Sequence, residues 1–208
     1  MVRYRYKINK LIDVGGKLLD NIYMPVIQEG KKLYRVYSHD FNNGFKLMEH
    51  SYIGNSFVNV VCNYIVDNAV KLWWCGDYAK AEDFENEKEF KRIYDYAWKD
   101  EEDKEEGTTI PEPNTDFDWS KQWYFVNETK KEFVKMPVVK NEEYDWTYNC
   151  VSLLTAAGNG RGGGDYWRED MQSVVGCWAG DVVYLTLKKP DDKLFCDITE
   201  DTDFGKDE

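Results

Sequence analysis

A cluster of glycines constrains this chain more than any other feature of its sequence. Five of the fifteen glycines fall within the seven positions 158–164, directly after the apolar run 151–157. Glycine costs roughly 0.5–1 kcal/mol of extra ordering entropy inside a regular element, so such a cluster is typical of backbone that turns with positive φ or approaches a ligand closely. The cluster therefore predicts a glycine-rich loop at the end of a strand, and with it a binding site.

The loop has the chemistry of an anion-binding turn. Successive backbone N–H groups in a glycine-rich turn form a nest for anions, and Arg161 in its middle could add a bidentate guanidinium. We therefore predict a small anionic ligand, such as a nucleotide or cyclic nucleotide, with aromatic rings stacking on the base. The predicted binding residues are Gly158, Asn159, Gly160, Arg161, Gly162, Gly163, Gly164, Asp165, Tyr166, Tyr78 and Trp178. The alternative is a surface loop held by an ion pair between Arg161 and Asp165.

The cluster also matches the GxGxxG pattern of dinucleotide-binding folds, through Gly158, Gly160 and Gly163. That pattern requires an acidic residue at the end of the following strand, where this chain has Lys188 and Lys189. The sequence also lacks the Gly-Lys-Ser or Gly-Lys-Thr of a Walker-type phosphate loop. We therefore expect neither a doubly wound dinucleotide fold nor a Walker-type site.

Three Gly-Asp pairs stand beside predicted strands or the glycine cluster, and they supply Asp77, Asp165 and Asp181. If those strands are neighbours, the carboxylates could converge as hard oxygen ligands, which suit Mg²⁺ or Mn²⁺. A second hypothesis is therefore a divalent-metal-dependent hydrolase or phosphoesterase, with Glu49 and His50 as further candidates for acid–base chemistry. The alternative is that each aspartate caps a turn.

The charge balance bears on possible partners. With 27 basic and 39 acidic residues, the formal net charge is −12, which opposes direct binding to nucleic-acid phosphates. A third hypothesis is an acidic protein-interaction module, or a nucleic-acid mimic that inhibits a host protein. The acidic residues are concentrated in 99–106 and 197–208, which we predict to be a solvated linker and a flexible tail.

Cysteine usage and hydropathy indicate the compartment. The five cysteines form no CxxC pair, and residues 1–10 hold no apolar stretch like that of a secretion signal. No apolar run approaches the roughly 18 residues of a membrane span. We therefore expect free thiols, no membrane association and a cytosolic location.

Alternating apolar residues predict strands at 4–8, 32–38, 45–51, 70–74, 122–126, 132–136, 151–157 and 182–187. Hairpin turns are predicted at 42–44 and 127–131. One short helix is predicted from Phe57 to Tyr64, with Asn55 or Ser56 as its cap, and a second lies in a charged excursion at 81–118. The apolar stripe of the second helix consists of Phe84, Phe90, Ile93, Tyr94 and Trp98.

This pattern favours a single α+β domain over 1–196, with a mainly antiparallel sheet, a few short helices and a glycine-rich loop. The tail 197–208 would follow that domain.

Three stretches resemble a set of uncharacterised proteins encoded by phages and prophages. They are Glu49-His50-Ser51 with Asn55, the stretch 74–79 (WCGDYA), and 158–166 (GNGRGGGDY) followed by 176–181 (GCWAGD). The resemblance implies a viral protein made in the cytosol of a bacterial host, and it implies no activity. It makes nucleotide signals of host defence, or a nucleic-acid-binding host enzyme, the targets to consider.

Overall fold

The protein is described from a computed structural model, which covers residues 22–44, 46, 49–50, 53–77, 79–99, 109–136, 139–141, 146–148, 151–156 and 176–200. The strands in chain order are β1 (Tyr23–Glu29), β2 (Lys32–Arg35), β3 (Val70–Gly76), β4 (Trp123–Asn127), β5 (Glu132–Met136), β6 (Val139–Asn141), β7 (Trp146–Tyr148), β8 (Thr155–Ala156), β9 (Val182–Thr186) and β10 (Cys196–Asp197). The helices are α1 (Ser56–Tyr64) and α2 (Glu87–Ala97), with 3₁₀ turns at Ser38–Phe41, Ala81–Asp83 and Val151–Leu154.

Eight of these strands form one mixed sheet. Its order is β10-β5-β4-β9-β3-β1-β2, and β8 pairs with β3 off this path. Neighbouring strands are antiparallel except for β10 with β5 and β8 with β3. The sheet and its two helices make a single-domain α+β arrangement, which confirms the predicted fold class. The hairpin of β6 and β7 is a separate two-stranded sheet.

The first hairpin is not where the sequence pattern predicted it. The chain turns from β1 into β2 at Gly30, whose φ is 58°, and β1 pairs along its length with β3. Pro25, which has no N–H donor, interrupts the usual strand pattern in β1, so this strand was not predicted. The predicted hairpin at 42–44 instead follows a 3₁₀ turn, and the predicted strand 45–51 is wrong at Glu49 and His50, which are helical.

One face of the sheet packs against α1. Asn55 caps this helix by accepting hydrogen bonds from the backbone N–H groups of Phe57 and Val58, as the sequence predicted. The apolar side of α1 joins the larger hydrophobic core, together with side chains of β3, β4, β5 and β9. The core residues contributed by α1 are Phe57, Val58, Val60, Val61 and Cys62.

The opposite face packs against α2 over β1 and β3. Phe90, Ile93 and Ala97 of the helix form a second buried cluster with Met24, Val26, Trp73 and Cys75 of the sheet. The helix within the segment 81–118 therefore packs directly on the sheet. After α2, the chain returns across α1, where the side-chain amides of Asn59 and Asn63 donate to backbone carbonyls of Asn114, Thr115 and Asp116.

The predicted tail begins inside the fold. Asp197 belongs to β10, its carboxylate lies 2.8 Å from Lys135 Nζ, and Thr199 Oγ1 accepts from the backbone N–H of Lys135. The described chain therefore stays attached to β5 through Thr199, because backbone pairing and the ion pair hold it there. Within the described residues, no helix is long and apolar enough to cross a membrane.

A buried arginine joins β2 to the end of α2. The Arg35 side chain is 7% exposed, and its Nη1 donates to the carbonyls of Ala97 and Lys99 at 2.8 Å and of Tyr96 at 3.4 Å. The last carbonyls of a helix have no partner within the helix and carry the negative end of its dipole. The cation therefore caps α2 and finds the hydrogen bonds that its burial requires.

We predict that Arg35→Met lowers the free energy of unfolding by about 2–4 kcal/mol, because it leaves buried carbonyls without donors. The matched control is Arg92→Met, since Arg92 is exposed and its guanidinium contacts Gln28. The control should cost less than about 0.5 kcal/mol. Urea unfolding of both variants checks the difference, and equal losses would contradict a capping role for Arg35.

Candidate functional site

Strands β3 and β8 end side by side in the sheet. These strands are parallel neighbours, with Trp74 opposite Thr155 and Cys75 opposite Ala156. The chain therefore leaves both strands at the same end of the sheet. Asp77 follows β3 there. Tyr78 and the glycine-rich stretch 158–164, with Arg161, Asp165 and Tyr166, lie outside the described residues. The predicted strand 151–157 is shorter than expected, because Val151–Leu154 forms a 3₁₀ turn before β8.

Asp77 forms hydrogen bonds with Ile22, the residue that precedes β1. Its Oδ1 accepts from the backbone N–H of Ile22 at 3.1 Å, and its own N–H donates to Ile22 O at 3.1 Å. The Tyr94 hydroxyl donates to the carbonyl of Asp77 at 2.7 Å. Asp77 thus has the turn-stabilising role that is common for aspartate after a strand. Tyr94, predicted only as part of an apolar stripe, is a residue of this end that sequence reasoning missed.

Asp181 lies at the other end of β3, which corrects the predicted cluster of carboxylates. Its carbonyl accepts from the backbone N–H of Leu72 at 3.3 Å, and its Oδ2 accepts from Asn127 Nδ2 at 2.8 Å. Asp77 lies five positions beyond Leu72 along the chain, a distance of about 17 Å in a strand. Asp77 and Asp181 therefore cannot share one ion. No three acidic, His or Cys side chains in the described part of the chain are grouped as metal ligands.

Trp178 belongs to the core. Its side chain is fully buried, its ring centroid lies 5.2 Å from that of Phe125, and its Nε1 donates to Glu132 Oε2 at 2.7 Å. Both the face and the polar edge of the indole are therefore occupied within the protein. The expectation that Trp178 stacks on a ligand base is therefore wrong. The residues next to it in the sequence do not reveal that its ring points into the core of the sheet.

His50 is a buried structural residue. Trp74 Nε1 donates to His50 Nδ1 at 2.9 Å, and an indole N–H can only donate, so the ring proton must lie on Nε2. Nε2 then donates to Gly44 O at 2.9 Å. Burial lowers the His50 pKa to about 4, although the Gly44 hydrogen bond and the Glu49 charge oppose that shift.

The predicted acid–base pair of Glu49 and His50 is therefore wrong for a free catalytic base. Both ring nitrogens of His50 already make hydrogen bonds inside the protein. The Glu49 carboxylate accepts from the backbone N–H of Lys46 at 2.9 Å, so it stabilises the local turn. Neither group lies free in a cleft where it could meet a substrate.

The buried Cys62 and Cys75 and the half-buried Cys177 are poor nucleophiles. Burial raises the pKa of the Cys75 thiol to about 12 and that of Cys177 to about 11, and it also raises the pKa of Cys62. Because the thiolate is the reactive form, a raised pKa leaves little of it near neutral pH at these three side chains.

Gly180 shows why one Gly-Asp pair occurs. Its φ is 82°, and a Cβ built on it would lie 2.5 Å from Trp73 Nε1. Its N–H donates to Leu72 O at 2.9 Å, which ties the turn to β3. Glycine is therefore required for both backbone conformation and close packing, with no need of a ligand.

We predict that the free energy of unfolding decreases as the pH is lowered from about 6.5 to about 4, because His50 is protonated more readily in the unfolded state. The folded pKa lies below the ordinary value, so the unfolded state binds more protons within this window. The stabilisation is complete above pH 6.5 and is lost as the pH falls to about 4, in total roughly 3 kcal/mol. Urea unfolding of His50→Gln across this range should show a flatter pH dependence than the parent protein.

The matched control for His50 is His39→Gln. This variant should keep the parental slope, because His50 and its bond to Trp74 are still present. An unchanged slope in His50→Gln would mean that another group governs the acid response.

A second prediction concerns Gly180. Gly180→Ala should destabilise the protein by about 2–4 kcal/mol, since it adds a steric clash with Trp73 to the strain of a positive φ. Gly54→Ala is the control, because Gly54 has φ 86° and no heavy atom within 4 Å of an added Cβ. It should cost only about 1–2 kcal/mol. Thermal unfolding of the two variants with equal losses would rule out the Trp73 contact as the cause.

Two described residues of the stretches that carry the resemblance contact β3. His50 bonds to Trp74, and Gly180 packs on Trp73. Comparison with protein-family models, curated proteins and solved structures finds no significant match for this chain. The resemblance to phage-encoded proteins and the bacterial cytosol that it implies therefore stay predictions.

Proposed function

We propose that the protein binds a small anionic ligand, a nucleotide or cyclic nucleotide, at the end of the sheet where β3 and β8 finish. The observation that carries the proposal is the parallel pairing of these two strands. In open α/β sheets, ligands bind outside the carboxyl ends of parallel strands, where the loops that follow neighbouring strands meet, and we extend that rule to this parallel pair. Here those continuations are Gly76-Asp77-Tyr78 and the glycine-rich stretch that begins at Gly158.

The chemistry of the two continuations suits a phosphate ligand. Backbone N–H groups of 158–164 and the Arg161 guanidinium would bind phosphate oxygens. Tyr78 or Tyr166 would stack on the base. Trp178, which is buried in the core, has no part in this proposal.

The described residues at and next to the carboxyl end of β3 are held in place by packing and hydrogen bonds. Trp74 and Cys75 of β3 are fully buried, on opposite faces of the sheet. Asp77 is held by Ile22 on one side and Tyr94 on the other. A binding site is more precise when its supporting residues are fixed by packing and hydrogen bonds, because less order has to be gained on binding.

The resemblance to phage proteins guides the choice of ligand. A phage protein in a bacterial cytosol could counter host defence by sequestering a nucleotide signal, so such signals are the ligands to test first. The hydrolase hypothesis with Mg²⁺ or Mn²⁺ loses its geometric basis, because Asp77 and Asp181 lie at opposite ends of β3.

We expect one member of a panel of AMP, GMP, cyclic di-AMP, cyclic di-GMP and a cyclic triadenylate to raise the melting temperature without added metal. A ligand at about 100 times its Kd adds roughly 2.7 kcal/mol of stability. Arg161→Ala should abolish that shift and leave the melting temperature of the ligand-free protein nearly unchanged, since it removes only the guanidinium that holds phosphate.

The matched control is Arg92→Ala, which removes the same charge. Arg92 contacts Gln28, five residues along β1 from Tyr23, at the end away from Asp77. It should bind the nucleotide like the parent protein. Equal binding by Arg161→Ala would overturn the assigned role of Arg161, and a panel without any shift would overturn nucleotide binding.

A further inference from the structure

We propose that Asn43 is a self-modification site, at which the side-chain amide is converted to a carboxylate through the backbone nitrogen of Gly44, with His39 as the activating group. His39 lies in the 3₁₀ turn Ser38–Phe41, and the other two residues follow that turn. None of the three takes part in the proposed nucleotide site. The hydrogen bonds around the peptide group between Asn43 and Gly44 support this assignment.

The reaction needs only water and the chain itself. The Gly44 nitrogen forms a bond to Cγ of Asn43 and loses its proton to solvent. The Cγ–Nδ2 bond breaks, and the nitrogen leaves as ammonia after taking up a proton from solvent. Water then adds to either carbonyl of the cyclic imide, which yields aspartate or isoaspartate. An amide and water thus become a carboxylic acid and ammonia, without oxidation or reduction, and asparagine is a thermolabile residue in proteins.

The Gly44 nitrogen is accessible for this attack. Among the residues that the structure describes, no acceptor takes a hydrogen bond from the Gly44 N–H, whereas the Asn43 N–H donates to Ser38 O at 3.1 Å. Gly44 has no Cβ, so no side chain of its own crowds the approach of its nitrogen to Asn43. Its carbonyl accepts from His50 Nε2 at 2.9 Å, which holds the glycine in place.

His39 activates the peptide group that reacts. Its Nδ1 lies 2.8 Å from the carbonyl oxygen of Asn43, and a carbonyl can only accept, so Nδ1 carries a proton and donates it. This carbonyl belongs to the same peptide group as the Gly44 nitrogen. A donor at the oxygen stabilises the negative charge that the peptide group acquires when the nitrogen loses its proton. The imidazole therefore favours the step that creates the nucleophile.

The amide that leaves is held by two hydrogen bonds. Asn43 Nδ2 donates to Phe41 O at 3.0 Å and to Ser56 Oγ at 3.3 Å. Because the Phe41 carbonyl can only accept, the amide nitrogen and oxygen of Asn43 are assigned unambiguously. Ser56 is the first residue of α1, so the amide bonds the turn to the start of this helix. These bonds restrain the side chain and oppose the activation by His39.

Modification would change contacts that lead into the core. The product carboxylate has no N–H, so Phe41 O loses the donor that Asn43 gave it. The new negative charge lies near the Glu49 carboxylate, which occupies the space that a Cβ on Gly44 would fill. Isoaspartate also lengthens the main chain by a methylene group before Gly44, which would displace its carbonyl from His50. Conversion of Asn43 therefore weakens the attachment of this turn to the core.

The experiment follows the tryptic peptide 36–46 by mass spectrometry while the intact protein is incubated at neutral pH. We expect the mass change from an amide to a carboxylic acid, with fragment ions that place it at Asn43 and not at Asn42. His39→Phe should slow the reaction roughly three- to tenfold, and Ser56→Ala should accelerate it by a similar factor, as expected for the loss of one hydrogen bond. His39 is exposed, and phenylalanine keeps a ring beside Tyr37.

Two controls use the same samples. Urea removes the folded turn, so the parent, His39→Phe and Ser56→Ala should all react at the same rate in the unfolded state. The second Asn-Gly pair of the chain, Asn159-Gly160, is contained in the tryptic peptide 141–161. Its rate of modification should respond to neither substitution, which separates an effect on Asn43 from a difference between protein samples.

Four results would overturn the inference. The first is an Asn43 that reacts in urea but stays intact in the folded parent, which would show that the fold protects it. The second is an equal rate in the folded parent and in folded His39→Phe. The third is a change located at Asn42. The fourth is a slower reaction of His39→Phe that persists in urea, because that effect would come from the sequence and not from the folded turn.

Discussion

The structure depends on the burial of β3 from both faces. Its side chains alternate, so that Leu72 and Trp74 pack toward α1 while Trp73 and Cys75 pack toward α2. Two adjacent tryptophans on opposite faces bury a large apolar area, which stabilises the fold on both sides of the sheet. Every other element that matters for the candidate site is placed by its contact with this strand: β1 and β8 pair with it, and the turn before β9 is bonded to Leu72.

Burial on this scale explains why several polar residues serve structure. Trp74 needs an acceptor for its indole N–H, and His50 supplies one by remaining neutral. The close approach of Trp73 leaves room only for glycine at position 180. The Arg35 guanidinium is accommodated in a buried place because three carbonyls at the end of α2 accept its hydrogen bonds. The polar side chains of His50 and Arg35 are therefore both committed to partners inside the protein.

The positions of Asp77 and Asp181 along β3 distinguish the functional hypotheses. A shared metal ion needs carboxylates within a few ångströms of one another, and the register of β3 puts Asp77 and Asp181 at its two ends. Binding at the carboxyl ends of β3 and β8 needs only that two loops start side by side, which the parallel pairing ensures. The described geometry therefore fits a ligand at this end of the sheet and separates two of the carboxylates that a shared ion would need.

The sequence by itself determined the local elements whose signals are short-range. The Asn55 cap with its amphipathic helix, the hairpin of β4 and β5, and the strand after Asn68 each follow from neighbouring residues. Tertiary structure alone decided the strand order, the roles of Asp77, Asp181, His50 and Trp178, and the use of Tyr94. These roles depend on partners that are distant in the sequence, such as the Tyr94 hydroxyl of α2 and the carbonyl of Asp77. Periodicity within one segment holds no information about which segments meet.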